Sequence, residues 1–256
     1  MSITLVQCSL DWEDPLRNCD AMTERLDAVP SGSDLIVLPE MFSTGFTMGS
    51  RTLAEPMDGP TVDRMRQWAG AHDAAVFGSI IVQEGDKRYN RGLFVRPDGA
   101  VVHYDKRHLF RFAQEHEHYA AGDRRVVVDW RGWRILLQIC FDLRFPVFSR
   151  NRGDYDLALY VANWPEARRA PWSTLLQARA IENQCYVAGV NRVGEDGNGI
   201  AYSGDSVVVD PKGEVLASLG PSAEGLVNCS LDRVSLEEFR EKFPVAKDAD
   251  SFELEF

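Results

Sequence analysis

Short apolar runs and helical stripes alternate along the whole chain. Residues 3–8 are β-rich and lead to Asp14-Pro15, a helix start. From there Leu16, Cys19, Met22 and Leu26 recur at helical spacing to about Ala28. Residues 34–38 end in an unbroken Leu-Ile-Val-Leu, the pattern of a strand covered on both faces. Val62, Met65, Trp68, Ala69 and His72 stripe a helix over 61–73, and 74–82 returns to strand. Runs at 89–96 and 101–104 flank the turn Pro97-Asp98-Gly99. The second half repeats the rhythm. Strands at 125–129 and 133–139 flank Arg131-Gly132, a helix near 145–152 leads to a strand at 157–161, and a helix spans about 171–183. Strands follow near 184–191, 203–210, 214–218 and 225–231, with Pro211-Lys212-Gly213 as a hairpin turn and Gly194 to Gly199 as either a mobile loop or a connection. A helix near 233–242 precedes a tail over 244–256. Helices alternating with strand pairs predict an α/β fold, helices covering both outer faces of a sheet system, in one domain over 1–243.

Composition narrows the function classes. The 256 residues, 45% hydrophobic and 26% charged, suffice for a sizeable core and argue against disorder. Lys and Arg number 28 against 39 Asp and Glu, a net charge of −11. That balance argues against a sequence-independent grip on nucleic acid, and any anionic ligand must be held by locally placed cations. No run approaches the ~18 uncharged apolar residues of a membrane span, and the first residues lack the basic region of a secretion signal. Five scattered cysteines without a CxxC pair suggest neither a disulfide framework nor a zinc ribbon, which fits a reducing cytoplasm.

Three places break the structural pattern. In Leu38-Pro39-Glu40-Met41-Phe42 a buried strand ends in a carboxylate, at the kind of strand end where α/β folds place ligand chemistry; Glu40 otherwise caps a surface loop. In Tyr104-Asp105-Lys106-Arg107-His108-Leu109-Phe110-Arg111, basic side chains interleave with aromatics, either as a solvated loop or as a site. In Gln138-Ile139-Cys140-Phe141-Asp142-Leu143-Arg144, a cysteine sits where an apolar strand meets a polar turn. Free cysteines are usually small buried hydrophobes, the reading adopted for Cys8, Cys19, Cys185 and Cys229. Cys140 differs because the turn marks an elbow able to expose a nucleophile. Its thiolate would need a nearby cation, base or helix N-terminus. His72 and His103 read as structural; His108, His116 and His118 remain open as partners or metal ligands, with no third ligand at convincing spacing and hence no metal site expected.

Together the three segments resemble the nitrilase, or carbon–nitrogen hydrolase, superfamily. Its pattern is a Glu after a strand and Pro, a Lys before a His-Leu-like pair and a Cys ending a strand, here Glu40, Lys106 and Cys140 over roughly 3–243. Glu115, Tyr119 and Gly122 match the family's second-glutamate pattern, with Glu117 as the alternative register. Nitrilases proper usually continue Cys-Trp-Glu; Cys140-Phe141-Asp142-Leu143-Arg144-Phe145 instead resembles omega-amidases, as do Pro39 to Phe46 and Tyr104 to Phe110. The resemblance implies a four-layer αββα sandwich, a homodimer, no cofactor, and hydrolysis of the terminal amide of short 2-oxo-dicarboxylate monoamides such as 2-oxoglutaramate.

On that reading Glu40 is the base, Cys140 the nucleophile, Lys106 and the Phe141 backbone N–H the oxyanion donors, and Glu115 the orienter of Lys106. Arg144 either offers a fork to the substrate carboxylate or pairs structurally with an acid such as Asp142. By family position Asn163 and Trp164 border the pocket. Phe42 and Phe46 form either an apolar wall or core packing. The rival readings are a carbon–nitrogen hydrolase for N-carbamoyl amines or aliphatic nitriles, and a non-catalytic binding protein on the same fold.

Overall fold

Unbroken apolar strands need cover on both faces. The computed structural model, which describes residues 1–254, supplies it by stacking two six-stranded sheets between layers of helix. The chain runs through β1 (Ser2–Gln7), α1 (Pro15–Leu26), β2 (Leu35–Val37), α2 (Ser50–Leu53), α3 (Pro60–His72), β3 (Ala75–Glu84), β4 (Lys87–Val95), β5 (Val101–Asp105), α4 (Glu115–His118), β6 (Val127–Trp130) and β7 (Trp133–Ile139). It continues through α5 (Pro146–Ser149), β8 (Leu157–Ala162), α6 (Arg169–Asn183), β9 (Tyr186–Asn191), β10 (Val193–Glu195), β11 (Ala201–Ser203), β12 (Val207–Val209), β13 (Val215–Ser218), β14 (Gly225–Ser230) and α7 (Arg233–Lys242). The first sheet has the order β14-β1-β2-β3-β4-β5, the second β13-β12-β9-β8-β7-β6. In the first, β1, β2 and β3 are parallel; in the second, β7, β8 and β9 are.

Alternation along the strands sorts side chains to opposite faces. Leu35 and Val37 of β2 join the apolar layer shared by the two sheets. Ile36 and Leu38 join an outer layer with Met22 and Leu26 of α1 and Val62, Met65 and Trp68 of α3. Helix α1 starts where Pro15 fills the first position and Asp14 accepts the Arg17 N–H at 3.1 Å. On the other side α6 lies hard against β9. A Cβ on Gly189 would stand 2.5 Å from Leu176 Cδ1 and 2.9 Å from the Trp172 ring, so the helix seats only because that position carries no side chain. The result is the four-layer helix–sheet–sheet–helix sandwich. No helix among the described residues is long and apolar enough to cross a membrane.

Three local expectations change. The helix expected near 145–152 is a tight 3₁₀ turn over Cys140–Arg144 followed by the single turn α5. Pro146 holds Phe145 out of the helical region, at φ −114° and ψ 86°, and so separates the two. The strand expected over 203–210 breaks at Gly204 and Asp205, both at positive φ, and β11 turns back to pair with β10, so 194–199 forms the end of a hairpin. The expected tail is not detached: Leu254 packs against the inner layer and Phe252 lies under Arg152. Residues 255–256 of that tail lie outside the described residues.

Gly189→Ala should cost about 1–3 kcal/mol by overpacking α6 on β9. The check is a lower urea midpoint at an unchanged slope.

Candidate active site

The site is assembled from strand ends of both sheets. Beyond β2 the chain bends at Met41, which adopts a left-handed φ of 41°, and is pinned to β3 by Met41 N–H to Ser79 Oγ (2.8 Å) and Phe42 N–H to Ser79 O (3.1 Å). This fixes Glu40. Lys106 follows β5 and still donates its N–H to Asn90 O at 3.0 Å. Its carbonyl accepts the Gly122 N–H at 3.0 Å, and a Cβ on Gly122 would stand 2.2 Å from Asp105 O, which accounts for glycine there. Cys140 follows β7 at φ 46°, so the chain turns sharply and the sulfur leaves the sheet. Asn163 follows β8.

These ends meet around one ammonium. Lys106 Nζ donates to Glu40 Oε1 at 2.8 Å and to both Glu115 oxygens at 3.0 Å. All three side chains are fully buried. Asn90 Nδ2 bridges the two carboxylates at 2.7 and 3.2 Å. Glu40 Oε2 accepts the Asn163 N–H at 2.8 Å, and Asn163 Nδ2 donates to Glu40 O at 2.5 Å, tying one sheet to the other. Glu115 Oε2 accepts the Phe110 N–H at 2.5 Å. Cys140 Sγ stands 3.9 Å from Asn163 O and close enough to Glu40 to feel its charge.

Burial sets the protonation states. It pushes the Cys140 thiol well up, the Glu40 charge pushes the same way, and Lys106 opposes without prevailing. The sulfur therefore rests as a thiol beside a base. Burial alone would depress the Lys106 ammonium, but the charges of Glu115 and Glu40 overcome it and hold the proton on. Burial lifts Glu115 above the ordinary carboxylate value while Lys106 pulls it back.

Above the cluster opens a cavity of about 630 Å³, walled by Phe46, Phe110, Phe141, Trp164 and Ile200, with Cys140 and Lys106 at its floor. Asn163 and Trp164 line it, as does Phe46. Phe42 does not: it is fully buried in the outer layer, 5.9 Å from the Trp68 ring, because the bend at Met41 sends it toward α3. Its assignment to substrate binding is therefore corrected, and the apolar wall falls to Phe46. Glu117 is exposed while Glu115 is buried on Lys106, which fixes the register. Arg144 is exposed on the cavity wall, its guanidinium 5.1 Å above the Trp164 ring. It does not pair with Asp142, whose oxygens face Tyr104, His108 and Ile139 instead. The same contacts remove His108 from the sulfur. His116 and His118 are exposed, and among the described residues no three His, Cys, Asp or Glu side chains are grouped to hold a metal ion.

Sequence reasoning missed three contributors. Asn90 is hidden in the polar run 87–91, where nothing marks one amide as buried. Asp142 reads as an ordinary turn residue. Arg168, within a charged stretch typical of a solvated helix start, reaches the cavity wall and lies over Phe110 and Phe112 at 5.3 Å from each.

Comparisons with known proteins bear on the family and the fold. The family model described as carbon–nitrogen hydrolase matches residues 2–241. Omega-amidase YafV of Yersinia enterocolitica is 50% identical over 252 residues, 98% of this chain and 98% of its own. The 2-oxoglutaramate amidase of Bacillus subtilis is 31% identical over 96% of each chain. A solved CN-hydrolase superfamily protein of Xanthomonas campestris, with an arsenic adduct in its active site, superposes with a TM-score of 0.97 at 48% identity, covering 99% of this chain and 98% of its own. Matched by sequence and fold along almost its whole length, and built around a buried Glu–Lys–Cys cluster, the chain belongs to the carbon–nitrogen hydrolase family.

Proposed function

We propose that the protein is an omega-amidase, hydrolysing the terminal amide of short 2-oxo-dicarboxylate monoamides, 2-oxoglutaramate to 2-oxoglutarate and ammonia. The observation that carries the reading is the meeting of the Cys140 sulfur and the Lys106 ammonium at the floor of a cavity whose wall presents the Arg144 guanidinium, with the Glu40 carboxylate bonded to that ammonium. The names of the similar omega-amidase and 2-oxoglutaramate amidase support the substrate class.

Glu40 takes the Cys140 proton as Sγ attacks the amide carbon. Lys106 and the Phe141 N–H receive the oxyanion; Phe141 stands in the first turn of its 3₁₀ segment, where N–H groups lack an intrahelical acceptor. Glu40 returns the proton to the nitrogen, the C–N bond breaks and ammonia leaves. Water, deprotonated by Glu40, then attacks the thioester, the C–S bond breaks, and the thiol is restored with the acid product. The buried cluster sets two carboxyl groups against one ammonium, which suits it to accept a proton from a neutral thiol. Glu115 keeps Lys106 charged and aimed. Arg144 receives the substrate carboxylate, Trp164 supports that guanidinium from below, and Asn163 fixes Glu40 while bordering the pocket. The reading includes residence in a reducing cytoplasm, in keeping with five unpaired thiols, and pairing of two copies, which light scattering on purified protein measures.

Purified protein should release ammonia from 2-oxoglutaramate, and folded Cys140→Ala should release none; full activity in that variant removes the sulfur from the mechanism. Lys106→Ala should lose on the order of 10²–10³ in turnover, as for loss of one oxyanion donor. Arg144→Gln should lower kcat/KM for 2-oxoglutaramate by about 10–150-fold, the worth of hydrogen bonds to a charged group, while sparing an uncharged aliphatic amide. Because the thiol value is raised, its neutral form persists to higher pH, and Cys140 alkylation by iodoacetamide should keep rising beyond about pH 9. A plateau between about pH 6 and 8 would instead reveal a preformed thiolate and remove the need for Glu40 as base.

A further inference from the structure

The Lys106 ammonium and the nucleophile come from different sheets, so their separation must be held by something other than either backbone alone. The fully buried carboxylate of Asp142 bonds to both segments. Its Oδ2 accepts the Ile139 N–H at 2.9 Å and the Tyr104 hydroxyl at 2.7 Å. Its Oδ1 accepts the His108 N–H at 3.0 Å and meets His108 Nδ1 at 2.7 Å. Ile139 and Asp142 bracket Cys140 in sequence; Tyr104 and His108 stand two residues either side of Lys106. One carboxylate thus clasps the segment that carries the ammonium to the turn that carries the sulfur, with both of its oxygens engaged.

A second contact reinforces the clasp. The His108 ring stacks on Phe145 with centroids 3.7 Å apart and planes within 5°, so the loop beyond Lys106 also rests on the residue that ends the nucleophile's 3₁₀ turn. Phe145 in turn meets Phe141 edge-on at 5.2 Å. The Lys106 loop and the Cys140 turn are therefore joined twice, once by charge-assisted hydrogen bonds and once by ring packing.

We infer that Asp142 is a positioning residue that sets the distance between the Lys106 ammonium and the Cys140 sulfur across the two sheets. The inference rests on the amidase reading for the roles of those two groups, and not on the identity of the amide. Asparagine at 142 keeps the shape but turns an amide NH₂ toward one of the two donor pairs, so one side of the clasp must open. Asp142 touches no reacting atom; its effect passes through its neighbours.

The test compares wild type with Asp142→Asn and with Tyr104→Phe, which removes the tie to β5 and leaves the carboxylate in place. All are measured well below their melting temperatures with folding verified by circular dichroism. Turnover of Asp142→Asn should fall by about 10–1000-fold with KM within about threefold, the signature of an interaction expressed in the transition state. Tyr104→Phe should fall less, in the same pattern. Cys140 alkylation by iodoacetamide, which needs no substrate, should shift to higher pH in both variants, because a receding ammonium lowers the thiol less. A residue that only supports folding would lower the melting temperature and leave the alkylation profile of the folded protein unmoved. Folded Asp142→Asn with wild-type alkylation and turnover within about twofold overturns the inference. If Asp142→Asn does not fold, an unshifted alkylation profile in Tyr104→Phe overturns it equally. Should 2-oxoglutaramate prove not to be a substrate, the alkylation arm still decides the matter.

Discussion

A single ammonium, sealed from water and shared by two carboxylates, is the constraint around which this protein is organised. Stripping the hydration from Lys106, Glu40 and Glu115 is costly, and a buried ion cluster adds little net stability over an apolar one. Its value lies in what it enforces. Each partner is intolerable alone at that depth, so the loops that deliver them must converge or the fold fails. Asn90 and the Asn163 N–H take up the remaining acceptor capacity, and the cluster becomes a rigid object rather than three mobile chains. A fixed cation requires no reorganisation when negative charge develops on a reacting carbonyl oxygen, which is the condition under which such a charge is most effective.

The second constraint is the seam between the sheets. Glu40, Asn90 and Lys106 belong to one sheet; Cys140 and Asn163 belong to the other. Glu40 is bonded across the seam by Asn163, and the Lys106 segment is bonded across it by Asp142. The apolar layer beneath, with Leu35, Val37, Ile135 and Leu137, supplies cohesion without direction, whereas the polar ties above it supply register. The rim of the cavity is built differently: Arg168 and Ile200 come from turns and loops, while Arg144 shares the Cys140 turn.

Much of this was legible in the chain itself. Glu40 and Cys140 stand out because each ends a run whose burial is dictated by its apolarity, whereas Lys106, one cation among several in a polar stretch, was singled out only by the family resemblance. Glu115 was reached only through the resemblance to the family's second-glutamate pattern with Tyr119 and Gly122, the latter a position where the Asp105 carbonyl leaves no space for a side chain. Phe42 was left open between pocket wall and core because the strand has already ended at Val37, and the left-handed bend at Met41, which sends it to the core, leaves no mark in the sequence. Asn90 and Arg168 were invisible because polar stretches do not say which of their members turn inward. The hairpin of β10 and β11 was missed because its strands are three residues each, too short for a period to declare itself. Sequence left Arg144 open between a substrate fork and a pairing with Asp142, because the Tyr104 and His108 groups that occupy Asp142 lie more than thirty residues away.

The pairing of the first strand with the fourteenth has a consequence for biosynthesis. Ser2 lies opposite Ser230, so the strand that flanks β1 emerges from the ribosome only after more than two hundred further residues have been made. Until it arrives, the sheet bearing the acid and the ammonium has an open edge beside β1, while the sheet bearing the sulfur can already be complete. A nascent or truncated chain ending before residue 225 would thus leave the backbone N–H and C=O groups along one edge of β1 without a neighbouring strand.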